Sequence, residues 1–266
     1  MDIQTLSSQI GGFMDNFKWD ENTPLSSRIY PAATAITYLV VIYGLNKFMK
    51  DRKPMTLKGV SIVHNFNLIV LSLTMMLGVL EAAYRQAQEQ GGFSLLCENK
   101  PNAVNGRIGW WIYVFYVSKY YELFDTVILA LKKKPLIFLH VFHHMAMVPV
   151  TWQWLNDQWL VGSWWCVLVN SFIHTIMYYY YLQTTLGNDC WFKRYITTSQ
   201  IIQFLTGTAI VSHWFYIRKT ENCQGGIAPA IVSYVINTLF IGLFIRFYIK
   251  SYSSKKSAPV NRKKVE

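Results

Sequence analysis

The residues best suited to chemistry are concentrated between positions 119 and 144, in a stretch otherwise apolar enough to lie in a lipid bilayer. An ionisable side chain in a bilayer core costs about 3 kcal/mol or more, so it predicts a function by default. Imidazoles and carboxylates at this density favour acid–base, nucleophilic or metal-assisted chemistry. The chemically able residues of the stretch are Lys119, Glu122, Asp125, Thr126, His140, His143 and His144.

Their spacing places these side chains on common helix faces. Residues three, four or seven positions apart lie on one side of an α-helix. The lysine and carboxylates fit this spacing before a Lys-Lys-Lys-Pro run, and the histidines fit it after that run. Two later segments carry similar stripes, formed by Asn170, His174, Met177, Tyr178 and Tyr181 and by Thr197, Gln200 and Gln203. Lipid offers such side chains no partner, so we expect the stripes to face a bundle interior.

The rest of the chain supplies helices that would hold these stripes. The protein has 266 residues, of which 52% are hydrophobic and only 15% charged, unlike an ordinary soluble domain. About 20 apolar residues are enough for a helix to cross the hydrocarbon core. We therefore predict an all-α, polytopic membrane protein with about seven transmembrane helices. The predicted spans are Ile29–Met49, Val60–Tyr84, Arg107–Leu131, Leu136–Trp154, Val161–Leu182, Tyr195–Ile217 and Ile227–Ile249.

The distribution of Lys and Arg orients these spans. The net charge is +11, but the basic residues cluster in short runs between apolar segments, which favours cytoplasmic membrane loops over nucleic-acid binding. A lumenal N-terminus and a cytosolic C-terminus place the dense runs in the cytosol. This orientation divides the chain into a polar lumenal segment (1–28), a seven-helix transmembrane catalytic domain (29–250) and a basic cytosolic tail (251–266).

Two short features depend on this orientation. Cys97 and Cys223 fall in lumenal loops, where oxidising conditions favour a disulfide between them; two unpaired cysteines are the alternative. Lys263 and Lys264 in the cytosolic tail resemble the dilysine retrieval signal of endoplasmic-reticulum membrane proteins. A basic tail that contacts anionic lipid is the alternative there.

Depth along the helices brings the stripes together. At 1.5 Å per residue, the groups from Lys119 to Asp125 lie roughly 9–18 Å from the cytosolic end of their helix, and the histidines at 140–144 roughly 5–12 Å. His174 lies roughly 12–16 Å deep, and the glutamines of the last stripe roughly 8–12 Å. All the stripes thus occupy the cytosolic half of the membrane. We predict one shared, buried site.

Four kinds of polar membrane site fit such a cluster. Hydrogen bonds that only join helices explain the glutamines but not three histidines on one turn. A metal-dependent, desaturase- or hydroxylase-like enzyme fits the HxxHH spacing. The chain has only six histidines, however, and His64 and His213 lie outside the stripes, so a two-iron site is short of ligands and a single zinc ion is the metal alternative. A proton-coupled transporter would use the same charges, but no inverted repeat is visible. The fourth is a site with a nucleophilic histidine. Cys166 is the other candidate nucleophile, but it lies too deep in the membrane for that role.

The four stripes occur in the order and spacing of a known family. They read Lys119-x-x-Glu122-x-x-Asp125-Thr126, His140-x-x-His143-His144, Asn170-x-x-x-His174-x-x-Met177-Tyr178 and Thr197-x-x-Gln200-x-x-Gln203. These motifs resemble those of the very-long-chain fatty acid elongases, over residues from about 60 to 250, with no sign of the family in the N-terminal segment. The resemblance implies a 3-ketoacyl-CoA synthase, an acyltransferase of the endoplasmic-reticulum membrane. Such an enzyme condenses acyl-CoA with malonyl-CoA to 3-ketoacyl-CoA, carbon dioxide and CoA.

The resemblance also implies an architecture and partners. Helices two to seven would surround an acyl tunnel, with the first helix outside. The charge of the basic runs 132–134 and 193–194 also suits them to hold CoA phosphates at the cytosolic mouth, and a role only as topology signals is the alternative. The resemblance implies a site that requires no metal or other cofactor. Acyl-CoA and malonyl-CoA are expected as substrates. Expected partners are membrane lipid, the reductases and dehydratase of elongation, and a second copy of this chain in a homodimer.

The motifs suggest a division of roles, which we state as hypotheses. His143 would carry the acyl group as an acyl-imidazole, although His140 and His144 share its helix face. His174 and Asn170 would stabilise the developing oxyanion.

The remaining motif residues would support this chemistry. Asp125 and Glu122 would fix histidine tautomers, and Lys119 would pair with one of the two carboxylates. Pro135 stands where many elongases that prefer polyunsaturated chains have Gln, which favours saturated or monounsaturated substrates. Substrate contacts are expected from Thr126, Tyr178, Gln200 and Gln203.

Overall fold

The chain is almost wholly helical. The computed structural model describes residues 2–98 and 103–253, and no β-strand occurs among them. The predicted retrieval signal at Lys263 and Lys264 lies outside these residues. The described helices are α1 (Ile3–Asp15), α2 (Ile29–Met49), α3 (Lys58–Gln90), α4 (Gly106–Glu122), α5 (Phe124–Leu131), α6 (Phe138–Asn156), α7 (Leu160–Leu186), α8 (Lys193–Glu221) and α9 (Ile227–Tyr248). The predicted all-α class is confirmed.

Four helices of the described chain are long and apolar enough to cross a membrane, which makes this a multi-pass membrane protein. They run over Ile29–Met49, Lys58–Gln90, Leu160–Leu186 and Ile227–Tyr252. The other predicted spans correspond to α4 with α5, to α6 and to α8. α4 and α5 have 17 and 8 residues, which is too short for either to cross alone, and the polar side chains of the motifs lower the mean hydropathy of α6 and α8. The count of seven spans therefore stays a prediction.

The third predicted span is two helices instead of one. α4 ends at Glu122 and α5 begins at Phe124, with Leu123 between them. At this junction Leu123 N donates to Tyr120 O and Thr126 N donates to Leu123 O, at 3.3 and 3.2 Å. Such bonds between residues three apart are tighter than those of an α-helix, so they rotate the following residues relative to the preceding ones. The side chains on either side of the junction therefore reach different neighbours.

The bundle places α2 on its outside. α3 packs along α7, α8 packs on α7 and α9, and α4 packs against α3 and α6. α2 contacts α5 and α6, yet only 17% of its membrane window is buried in the protein. The apolar core lies between the inner helices and includes Val79, Phe115, Leu155 and Val167. This matches the expected bundle with its first membrane helix outside.

The N-terminal segment packs on the beginning of α4. Arg107 donates from Nε to Asp15 Oδ1 at 2.7 Å and from Nη1 to Glu81 Oε1 at 2.9 Å. The ring of Phe13 meets that of Trp110 edge-on, with centroids 5.0 Å apart. The hydrogen bond from the Arg107 guanidinium holds the pKa of Asp15 below its usual value. The segment predicted only as polar thus forms a helix held by ion pairs and aromatic contacts.

A disulfide joins the loop after α3 to the loop after α8. Cys97 and Cys223 are 126 positions apart in sequence, and their Cα atoms lie 5.0 Å apart. Both are buried. Nearby, Gln224 N donates to Glu98 O and Gly226 N donates to Asp157 O. The two loops therefore meet at one end of the bundle.

We predict that Cys97→Ser lowers the melting temperature of the purified protein by about 5 °C or more. A crosslink over so many residues restricts the unfolded chain, and its removal releases that restriction. Thermal unfolding in detergent measures the effect, and Cys190→Ser is the control because Cys190 is a free thiol. Equal melting temperatures for Cys97→Ser and wild type, or no Cys97–Cys223 peptide in a non-reducing digest, would contradict the bond.

Candidate active site

A buried ion pair forms the centre of the polar cluster. Lys119 Nζ donates to Glu122 Oε1 at 2.6 Å, and the two side chains are 3% and 2% exposed. The ammonium also donates to Asn170 Oδ1 at 3.3 Å and lies 3.9 Å from the centre of the Phe115 ring. Each contact offsets part of the cost of burying the charge. The predicted pairing of Lys119 with a carboxylate is present.

Glu122 is the acceptor around which α4 meets α7. Its Oε1 atom also accepts from Ser118 Oγ at 3.3 Å and lies 3.7 Å from His174 Nδ1. Its Oε2 atom is buried and has no hydrogen-bond partner within the described chain. A carboxylate with spare acceptor capacity beside an imidazole is suited to hold that imidazole in one tautomer.

Asp125 joins three other helices. Its Oδ1 atom accepts from His64 Nε2 at 2.7 Å, and its Oδ2 atom accepts from the Tyr178 hydroxyl at 2.8 Å. His144 Nε2 lies 4.0 Å from Oδ2. One carboxylate thus links α3, α6 and α7.

His64 is the site residue that the sequence analysis left out. The motif stripes excluded it together with His213, but the structure separates the two: His64 is buried against Asp125, whereas His213 is exposed. A signal was present, because Ser61, His64, Asn65 and Ser72 follow helical spacing and are all buried on α3. This fifth polar stripe has one ionisable group, His64, and lies outside the four motifs.

The HxxHH histidines have different surroundings. His140 Nε2 and Thr126 Oγ1 are hydrogen bonded at 2.8 Å, and Thr126 Oγ1 is also 2.8 Å from the Tyr38 hydroxyl of α2. The His140 and His144 rings are 4.4 Å apart between centroids. The His143 ring lies 5.4 Å from that of His144 and 5.2 Å from that of Phe240. His143 therefore contacts an apolar ring on one side and the polar cluster on the other.

The glutamines of α8 contribute unequally. Gln203 accepts a long hydrogen bond from Asn170 Nδ2, at 3.5 Å. It thereby extends the chain of polar contacts that begins at Lys119. Gln200 donates to Met177 Sδ at 3.7 Å and lines the cavity described next. Both glutamines line that cavity, and their contact with substrate stays a prediction.

Two cavities meet at His143. The large cavity, of about 620 Å³, reaches from the polar cluster to a rim that includes Lys132, Lys134 and Lys193. The small cavity, of about 30 Å³, is walled mainly by apolar side chains such as Trp154 and Trp159. His143, Asn170, Gln203 and Phe204 line both cavities. These four shared residues therefore lie between a large cavity that several charged and polar side chains line and a small cavity lined mainly by apolar ones.

The positions of the His, Cys, Asp and Glu side chains test whether the site could hold a metal ion. Within residues 2–98 and 103–253, no three His, Cys, Asp or Glu side chains are placed to hold one metal ion. His64 and His140 instead have hydrogen-bond partners in Asp125 and Thr126.

Comparison with known proteins identifies the family. Residues 23–260 match the model of the GNS1/SUR4 family, which is far more than half of the chain. The chain belongs to this family. The match begins before α2, so the sequence analysis was wrong to start the likeness near residue 60.

Individual relatives agree with the family match. The chain is 65% identical over 252 residues to fatty acid elongase sre1 of Dictyostelium discoideum, covering 94% of both chains. It is 37% identical over 264 residues to fatty acid elongase A of the same organism, covering 97% of this chain and 96% of the relative. Very long chain fatty acid elongase 4 of Homo sapiens is 32% identical over 279 residues, with 96% and 84% covered. The chain is therefore a member of a family of fatty acid elongases.

We predict that Lys119→Met destabilises the protein strongly, because it leaves the Glu122 charge buried without its partner. Breaking one side of such a pair costs about 3–5 kcal/mol. The double variant Lys119→Met/Glu122→Gln removes the stranded charge, so it should recover part of the lost melting temperature in detergent. If single and double variants unfold at the same temperature, the pair is not ionised in the folded protein.

Proposed function

We propose that this protein catalyses the condensing step of fatty acid elongation, in which acyl-CoA and malonyl-CoA give 3-ketoacyl-CoA, carbon dioxide and CoA. The observation that carries the proposal is the position of His143, which lines both a large cavity with lysines in its wall and a small cavity that is mainly apolar. An acyl-CoA thioester also has two unlike parts, because its CoA part is polar and its acyl chain is apolar. The acyl carbonyl would lie where the two parts meet, beside the histidine.

The rim of the large cavity is suited to CoA. Lys132, Lys134 and Lys193 line it, and phosphate groups are attracted to such ammonium groups. Lys133 instead donates to the carbonyl oxygens of Lys50 and Arg52, and Arg194 donates to the Tyr248 hydroxyl. Lys132 also donates to Ser61 Oγ at 3.2 Å, so Lys134 and Lys193 are the basic residues that we assign to the CoA phosphates.

His143 would act as the acyl carrier. In the first half-reaction its unprotonated nitrogen attacks the thioester carbonyl and the C–S bond breaks. The proton on its other nitrogen passes to the departing thiolate, which leaves an acyl-imidazole and free CoA. In the second, malonyl-CoA loses carbon dioxide, the resulting enolate carbon attacks the acyl group, and the C–N bond breaks. His174 and Asn170 would stabilise the oxyanion in both steps.

The cycle takes up one proton, because the imidazole must be reprotonated after the second half-reaction. Asp125 and its hydrogen-bond partners His64 and Tyr178 line the large cavity, which connects the cluster to its rim. A carboxylate and an imidazole in contact are suited to pass protons at neutral pH. We therefore assign proton delivery to this group.

The acyl chain would extend past His143 into the small cavity. That cavity has room for only about two water-sized spheres, so Trp154, Trp159 and their neighbours must move apart to admit it. A saturated or monounsaturated chain, which the sequence favours, can follow a narrow extended path.

The cellular setting completes the proposal. We place the protein in the endoplasmic-reticulum membrane, with the N-terminus in the lumen and the C-terminus in the cytosol. The disulfide-linked loops would then face the oxidising side, and the lysine-rich rim would face the cytosol, where CoA thioesters are available. No cofactor is required, and the partners would be membrane lipid, the other elongation enzymes and a second copy in a homodimer.

We predict that the purified protein extends acyl-CoA by two carbons from labelled malonyl-CoA and that acyl-CoA alone yields a covalent adduct detectable by intact mass. The adduct should be absent in His143→Ala, because the attacking nitrogen is gone. Extension without any adduct in the wild type would replace the acyl-imidazole with direct condensation. Absence of extension with every chain length would refute the proposed function.

We also predict that His64→Ala lowers the rate of elongation by about tenfold or more, since it removes the hydrogen bond to Asp125 and a proton carrier. The matched control is His213→Ala, which changes an exposed histidine and should retain the wild-type rate. Initial rates with saturating substrates measure both variants. If His64→Ala has the same rate as the wild type, His64 takes no part in the reaction.

A further inference from the structure

One tyrosine of the outer helix is buried, unlike the others on that helix. Tyr38 is 5% exposed, whereas Tyr30 and Tyr43 are 48% and 70% exposed. Its hydroxyl lies 2.8 Å from Thr126 Oγ1, and the same oxygen lies 2.8 Å from His140 Nε2. Thr126 itself is fully buried. A continuous hydrogen-bonded chain therefore leads from α2, outside the bundle, to the first histidine of the HxxHH motif.

We propose that Tyr38 is a positioning residue of the reaction and fixes the tautomer of His140 through Thr126. The proposal rests on the proposed function, since it concerns the same site. It gives α2 a part in the chemistry although the helix contributes no residue to either cavity among their described lining residues.

The hydrogens of the chain can be arranged in two directions. In one, the Tyr38 hydroxyl donates to Thr126 and the Thr126 hydroxyl donates to His140 Nε2. In the other, His140 Nε2–H donates to Thr126 and Thr126 donates to Tyr38. The hydroxyl proton of Tyr38 then has no acceptor among these three residues. The first direction leaves its unpaired donor on Nδ1 of His140, whose ring lines the large cavity, whereas the second leaves it on the buried Tyr38 hydroxyl, where it is unfavourable. The first direction is therefore preferred. His140 then accepts at Nε2 and carries its proton on Nδ1.

A fixed tautomer matters because His140 lines the large cavity and its ring is 4.4 Å from that of His144. Thr126 alone would not select it, since a hydroxyl donates or accepts equally well. With Tyr38 as a donor on its other side, Thr126 becomes a donor toward the histidine. Tyr38 thus determines which ring nitrogen of His140 carries the proton, in the cavity where we propose that CoA binds.

The test compares Tyr38→Phe with Tyr43→Phe in the full-length protein. Phenylalanine keeps the ring and removes only the hydroxyl, so packing is retained. We expect kcat for two-carbon elongation to fall about three- to tenfold in Tyr38→Phe, with KM for acyl-CoA and the melting temperature close to wild type. Tyr43→Phe changes an exposed tyrosine of the same helix and should match the wild type in all three measurements.

A double-mutant cycle separates positioning from a structural role. Thr126→Val removes the hydroxyl that joins Tyr38 to His140. Adding Tyr38→Phe to this variant should therefore cause no further loss of kcat. Unchanged kcat in Tyr38→Phe, or an equal loss in the Thr126→Val background, would overturn the proposal. A loss of melting temperature that accompanies the fall in kcat would also count against it. These outcomes require an active wild type, so an inactive wild type refutes the proposed function, a result distinct from any of them.

Discussion

A bilayer offers no hydrogen-bond partner to a polar side chain, and the architecture around the site follows from this constraint. Two buried carboxylates must each find partners within the protein. Glu122 has Lys119 and Ser118, and Asp125 has His64 and Tyr178. These partners come from α3, α4 and α7, so satisfying the carboxylates fixes how the three helices are rotated. The ionisable groups that make the site chemically able are thus also the contacts that assemble it.

The junction at Leu123 lets one motif serve two sets of neighbours. Before it, Lys119 and Glu122 face Asn170 and His174 of α7. After it, the tighter turn directs Asp125 toward α3, α6 and α7, and directs Thr126 toward α6 and α2. The residues on the two sides of the junction therefore have different partners, and Thr126, which follows it, is the one that contacts the outer helix.

Sequence reasoning succeeded where a pattern is local. Helical spacing grouped the residues of the four stripes, and their common depth predicted that they would meet. The span Ile29–Met49 was predicted with the bounds that α2 has. What spacing does not contain is the rotation of one helix about its axis relative to the next. The contribution of His64 depends on that rotation, and so do the neighbours on either side of Leu123.

Tyr38 marks the limit of such reasoning. A tyrosine in an apolar span has the same type and spacing whether it faces lipid or the protein, and three tyrosines of α2 are indistinguishable by pattern. Only the packing of α2 on α5 and α6 brings one of them to Thr126. The end of the bundle opposite the lysine-rich rim is tied by the disulfide and by hydrogen bonds between loops. At the other end, Lys133 donates to the carbonyl oxygens of Lys50 and Arg52 just after α2, and the Tyr38 hydroxyl adds a contact further along the helix. The geometry of the histidine cluster is therefore set partly from outside the bundle that encloses it.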